Sequence, residues 1–206
     1  MKKHMRATAV AAILAMSPAA ANAITTSGPG GFNNGFATSI TFDENAARGT
    51  SFDRDNPLNA LGPNNGDFFE IGFGSFIDLT FGTLFDTETT VFEVTFGNPA
   101  GFPESAVIFA GVGDGTFGGG SFSSLGSISN VAAQGGAVIS LLGFSGPFDT
   151  IRIFDTSTPI NGATLGGFDV DAVRVSAVPL PAALPLMGAG FAALGFVGWR
   201  RKRKAA

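Results

Sequence analysis

Sixteen carboxylates are nearly all that this 206-residue chain offers for chemistry, and they run from Asp43 to Asp171. The single histidine is His4, cysteine and tyrosine are absent, and no lysine lies between Lys3 and Lys202. A thiol nucleophile, a Ser–His couple, a histidine-ligated zinc and a lysine Schiff base each need a residue that this stretch lacks. No glycine-rich phosphate loop follows a strand and opens a helix. Carboxylate chemistry is what survives. One form is glycoside hydrolysis, in which one carboxyl group protonates the leaving oxygen and a second acts as base or nucleophile. The other is calcium binding, which gathers about six to eight oxygens around a hard cation.

Four aspartates suit the second form. Asp53 with Asp55, and Asp169 with Asp171, make two Asp-x-Asp steps. Residues two apart on a strand point to one face, so each step presents two carboxylates together as a candidate calcium site. The competing expectation is a pair of exposed acidic strand ends. Asp78 and Glu93 fall at polar positions of alternating strands, which predicts a solvated face and not a catalytic pair. The segment carrying the carboxylates holds only four cations, Arg48, Arg54, Arg152 and Arg174, so its net charge is −12 (4 minus 16) against −4 for the whole chain. Nucleic-acid binding needs a basic face to neutralise phosphates, and this composition excludes it.

Short alternating runs must position these groups. Candidate strands lie at 36–42, 68–73, 75–82, 90–97, 106–112, 137–142, 149–155 and 168–175. In "SFIDLTFG", Ile77, Leu79 and Phe81 share a face opposite Asp78 and Thr80; in "TVFEVTFG", Phe92, Val94 and Phe96 oppose Glu93 and Thr95. Turn signals at 97–99, 113–115, 146–147 and 161–162 separate the runs. The glycine-rich stretch 111–127 predicts a hairpin or loop, since it contains one Gly-Asp step and no repeat. No stretch carries a capped helical period. These signals predict an all-β domain over residues 24–177, an antiparallel sandwich of jelly-roll type.

The two ends concern transport. Residues 1–23 begin with Lys2, Lys3 and Arg6, continue through an apolar run and finish in Ala21-Asn22-Ala23, the pattern of a secretory signal peptide cut after Ala23. Residues 182–199 carry no charge and as a helix would extend about 27 Å, close to the ~30 Å of a hydrocarbon core. Trp199 stands at the expected interface, and Arg200, Arg201, Lys202, Arg203 and Lys204 hold that end in the cytoplasm.

A proline motif, an apolar helix and an arginine-rich tail in this order resemble the sorting module of PEP-CTERM proteins. Val178-Pro179-Leu180-Pro181-Ala182 looks like the VPLPA variant, in which Leu180 stands where the commoner form has Glu. The resemblance covers residues 178–206 and implies a Gram-negative source, an inner-membrane intermediate and an exosortase partner that cuts near the motif. It further implies delivery to the cell surface or extracellular matrix, in the company of exopolysaccharide. "NALG" at 59–62 and Asp169-Val170-Asp171 are similar to a galactose-binding-like, discoidin-like jelly roll, which implies a structural calcium and saccharide binding. The combined expectation is a non-enzymatic surface or matrix protein that binds a saccharide. A carboxylate-dependent glycoside hydrolase or lyase, and a structural matrix protein without a ligand, remain alternatives.

Protein recovered outside the cell is expected to lack the residues beyond about 182. Intact-mass measurement checks this, and an uncut C-terminal segment in membrane-free material would refute it.

Overall fold

Alternation builds the first half of the longest strand and a change of partners builds the second. The computed structural model describes residues 23–28, 34–49, 54–95, 99–159 and 166–177. Strand β4, Phe76–Glu93, runs for 18 residues without a break. The two strands expected at 75–82 and 90–97 are therefore one as far as Glu93. Its N-terminal half lies between β2 (Ser39–Asp43) and β8 (Phe148–Asp155), with Ile77 opposite Phe42 and Ile153. Its C-terminal half lies between β7 (Ala137–Ser140) and β9 (Asp169–Ala177), with Val91 opposite Ala137 and Val173. Around this hinge the order is β1-β2-β4-β8-β5-β6, where β1 is Ala23–Ser27, β5 is Ser105–Val112 and β6 is Ser121–Ser129. On the other side β9 carries the two-residue β3, Phe69–Glu70. The described pairings between strands are all antiparallel.

The result is all-β, and among the described residues helix is confined to a 3-10 turn at Pro57–Ala60 and the four-residue α1, Asn130–Ala133. One apolar cluster serves both halves of the sheet. Ile40, Ile77, Leu79, Ile108, Ile151 and Ile153 from one side meet Phe69, Val91, Val170 and Val173 from the other. The Phe42 and Phe69 rings meet edge to face at 5.0 Å, joining β2 to β3. Phe81 and Phe85 make a second edge contact at 5.2 Å, where β4 leaves one set of partners for the next. This arrangement is consistent with a β-sandwich.

Two expectations about β4 need correction. Asp78 is 8% exposed and Glu93 is 2% exposed, so neither belongs to a solvated face. For Asp78 the alternation is right, because Ile77, Leu79 and Phe81 do face the core. The polar face is nevertheless covered, by the 113–120 loop of the β5–β6 hairpin. For Glu93 the parity itself is inverted. Thr89, Val91 and Glu93 are buried while Phe92 and Val94 are half-buried. The register against β9 shifts between Phe92 and Glu93, and the Phe92 ring lies against Gly136 beyond α1. A Cβ on Gly136 would come within 2.7 Å of that ring, and its φ is +89°, so glycine is what lets this segment cover the strand. The strand expected over 68–73 shortens to β3, and β1 was not anticipated.

Two buried aspartates fasten loops to this frame. Asp155 Oδ1 accepts from the Phe168 amide at 3.0 Å and the Ser157 hydroxyl at 2.6 Å, while Oδ2 accepts from the Gly74 amide at 3.0 Å. Asp171 accepts from the Asn65 amide at 3.0 Å and the Gly66 amide at 3.2 Å, which holds the 62–67 turn against β9. Ala23 opens β1. The rest of the predicted signal segment, including Ala21, and the motif, span and basic tail at 178–206 lie outside the described residues. Among the described residues no helix is long and apolar enough to cross a membrane.

Arg152 holds Asp78 through two bonds, Nε to Oδ1 at 2.7 Å and Nη2 to Oδ2 at 2.9 Å. Removing one partner of a buried pair strands the other charge and costs about 3–5 kcal/mol. Arg152→Met is expected to lose about that much stability, and Asp78→Leu combined with Arg152→Met less than Arg152→Met alone. Urea unfolding of the three proteins checks the order.

Candidate functional site

Two clusters gather the polar and aromatic side chains that could act on another molecule. The first lies on the face of β4, β8 and β5 turned away from the apolar cluster. Pairing sets it out in rows: Phe76, Phe154 and Val107 in one, Asp78, Arg152 and Phe109 in the next, Thr80, Thr150 and Gly111 in the third. The Arg152 guanidinium lies 4.5 Å from the Phe76 ring centre and 3.9 Å from that of Phe122. Phe117, carried on the 113–120 loop, stacks on Phe76 at 4.3 Å and 6°. Arg152 also donates to the Gly119 carbonyl at 3.1 Å. A Cβ on Gly119 would fall 2.3 Å from the Asp114 carboxylate, which would have to shift to make room. Asp114 spends Oδ1 inside its own loop, on the Thr116 amide at 2.9 Å and hydroxyl at 2.6 Å.

Burial raises the Asp78 pKa, and the Arg152 hydrogen bonds and charge offset only part of that. The pair is thus a positioning element: it fixes the rings around it. Phe109, Phe117, Phe122 and Phe154 are each half-buried. They leave apolar faces at the surface beside the serines of β6, where Ser124 pairs with Phe109 and Ser127 with Val107.

The second cluster is acidic and buried. Glu70, on β3, accepts from the Gly49 amide at 2.6 Å and from Arg54 Nη1 at 2.5 Å. Glu93 closes β4 and accepts from the Thr95 hydroxyl, which in turn accepts from Asn130 Nδ2 at 3.0 Å. The same Asn130 amide group donates to the Phe102 carbonyl at 2.7 Å. Glu104 precedes β5, and its carbonyl accepts from the Asn130 amide at 3.1 Å. Asp169 opens β9 at 2% exposure.

Three of these acids are held well above the usual carboxylate range, each mainly by burial. Glu93 is pushed up to about 7, with the hydrogen bonds from Thr95 and Glu104 opposing. Glu104 is pushed up to about 9 by burial and then by the charges of Asp169 and Glu93. Asp169 rises to about 8 by burial, against the attraction of Arg54 and with the repulsion of Glu70, Glu93 and Asp155. With both glutamates ionised, Glu93 Oε2 and Glu104 Oε2 have no donor. A proton on Glu104 supplies one, donated to Glu93.

The predicted metal residues are only partly brought together. Asp53 lies outside the described residues and Asp55 is exposed. Asp169 and Asp171 are both buried on β9 but differ in use. Asp171 spends both oxygens on backbone amides, whereas Asp169 Oδ1 has no partner. Among the described residues no three His, Cys, Asp or Glu side chains are grouped as a ready metal shell. Glu104 and Glu70 escaped the sequence reading, and Glu93 was assigned to a solvated face, because no short spacing links the three. The available signal was indirect: sixteen acids against four arginines in one domain leave some buried acids without a cation.

No family model matches the chain, and no curated protein matches it. Among solved structures it is similar to a Ruminococcus gnavus GH29 fucosidase mutant in complex with fucose. The identity is 14% and the TM-score 0.43, over 68% of this chain and 25% of the fucosidase chain. The chain therefore spans about a quarter of the length of that structure.

The raised acids set a pH dependence. Unfolded, they ionise near pH 4–4.5. Folded, Glu93, Asp169 and Glu104 keep protons to about 7, 8 and 9. The folded state therefore binds more protons through this window, and its stability falls as pH rises. In chelator-treated buffer the urea midpoint is expected to drop steadily between about pH 5 and 9, and less steeply in Glu104→Gln. A flat profile would show that these acids ionise alike in both states.

Proposed function

We propose that the chain is an exported surface or matrix protein whose jelly-roll body binds a saccharide without catalysing its conversion. The observation that carries this reading is the ring-bearing face of β4, β8 and β5. The half-buried Phe109 and Phe154 and the half-buried Thr80 lie there beside the exposed serines of β6, around an Asp78–Arg152 pair that pins the rings. Aromatic faces stack against the C–H faces of sugar rings, and neighbouring hydroxyls supply short hydrogen bonds. The all-β, antiparallel arrangement supports a sandwich of the jelly-roll kind, in which β4 belongs to both layers.

Export and sorting rest on the ends of the sequence. The signal segment, the VPLPA-like motif and the basic tail together support an exosortase partner and a route through the inner membrane to the surface. The net charge of the body, −12 (4 minus 16), favours neutral or divalent-bridged polymers over polyanions.

A glycan array probed with the purified full-length chain in mild detergent tests the reading. Binding to at least one neutral oligosaccharide is expected, and Phe109→Ala with Phe154→Ala should weaken it by about tenfold or more, roughly 1.4 kcal/mol, with little change in melting temperature. Absence of binding across the array, or binding indifferent to both changes, would refute it.

A further inference from the structure

Where β4 changes partners, three other strands end or begin. β7 stops at Ser140, opposite Glu88, and β8 starts at Phe148, opposite Phe85. β9 stops at Ala177, also opposite Phe85. The register of β4 shifts on both sides of this point, between Thr80 and Phe85 and between Phe85 and Thr89. The loop from β7 to β8, residues 141–147, is drawn onto the same corner. Leu141 donates its amide to the Thr87 carbonyl at 2.9 Å, and a Cβ on Gly146 would stand 3.3 Å from the Asp86 Cβ. This corner carries large apolar side chains in the open: Leu84 is 48% exposed, Leu142 75% and Phe144 38%. The loop itself, Leu-Leu-Gly-Phe-Ser-Gly-Pro, has no charged residue. Apolar groups gathered at the surface of an acidic body mark a place where something else is met.

We propose that this corner is a lipid-docking surface: in the anchored form of the chain, Leu84, Leu142 and Phe144 rest among the headgroups of a zwitterionic bilayer. The proposal rests on the inner-membrane anchor proposed above for residues 182–199. The length of the tether selects lipid as the occupant. Ala182 follows Ala177 by five residues, which reach at most about 17 Å, and the headgroup layer takes roughly 5–7 Å of that. Ala177, and with it the corner, therefore stays within about 12 Å of the headgroups. A folded partner slipped between body and bilayer would need a gap of at least about 25 Å. Interfacial apolar groups enter the headgroup boundary by about 5–10 Å, which this tether allows. Three side chains would hold a free protein weakly, but a short tether makes their insertion an intramolecular event. Asp86 and Glu88, both exposed beside the corner, set the class of lipid, because anionic headgroups would repel them. The ring-bearing face takes no part in this contact.

The chain has no cysteine, so a single introduced thiol reports on its own position. The full-length chain with Leu142→Cys or Phe144→Cys, labelled with a polarity-sensitive dye, is reconstituted in phosphatidylcholine vesicles. It is expected to float with them and to lose about half or more of its fluorescence to a quencher carried on the lipid headgroup. Phe102→Cys serves as the control. Phe102 is 58% exposed and is held by Asn130 beyond the other end of β5 and β8, so its label should stay bright. In vesicles rich in phosphatidylglycerol the quenching at 142 should fall by about half. Hydrogen exchange on the unaltered chain decides the matter should a label disturb the loop: amides of 142–146 should exchange about threefold slower or more in phosphatidylcholine than in phosphatidylglycerol nanodiscs. A chain that does not float would overturn the anchor and this proposal with it. A chain that floats with labels at 142 and 144 as bright as that at 102 would overturn the docking surface alone and leave the anchor standing. A blue-shifted label that the lipid does not quench would show the corner covered by protein, a second copy or another partner, and would overturn the proposal equally.

Discussion

An excess of acid over base governs how this domain closes. Its sixteen carboxylates have four arginines to answer them and no lysine, and ten polar or charged side chains are buried among the described residues. An ion pair can serve few of those acids. Asp78 has Arg152 and Glu70 has Arg54. The others must find backbone amides, as Asp155 and Asp171 do, or lean on each other, as Glu93 and Glu104 do. A carboxylate accepting two or three amide hydrogens is well satisfied and fixes the loop that donates them. Acid buried in this way does the cross-linking that disulfides do in many small domains, and the chain has no cysteine.

β4 makes that closure possible in so small a body. By exchanging β2 and β8 for β7 and β9 along its 18 residues, it places Asp78 and Glu93 at opposite ends of one strand. The ring-bearing face forms around the first and the acidic cluster around the second. Two sites of different character therefore share one rigid element, with Phe81, Phe85 and Phe148 packed between them.

Much of the fold was legible in the sequence. Ile77, Leu79 and Phe81 read as a core face and are one. The strands near 106–112, 149–155 and 168–175 lie close to their expected places, and residues 111–127 form a hairpin. The failures have particular causes. Local alternation says which residues share a face, but a register shift such as that at Phe92 and Glu93 changes which face is inward, and no local pattern announces it. Asp78 sits on the outer face as expected, yet a loop some forty residues away in the chain folds over it. Asp171 carried the right residue type and spacing for a metal ligand, and its oxygens went to a turn more than a hundred residues earlier. Acids as far apart as Glu93, Glu104 and Asp169 meet only in three dimensions.

The pairing of β9 bears on how such a body would carry load. Its last residue, Ala177, lies opposite Phe85, and the strand then runs back along β4 to Glu93, with β3 on its other side. Tension applied beyond Ala177 would pull along the strand axis, across hydrogen bonds that stand perpendicular to it. The β4–β9 bonds would then share the force in shear instead of opening one by one. A tether leaving from this strand would thus load the β4–β9 pairing first, whereas β1 lies at the edge of the strand order and pairs with β2 alone.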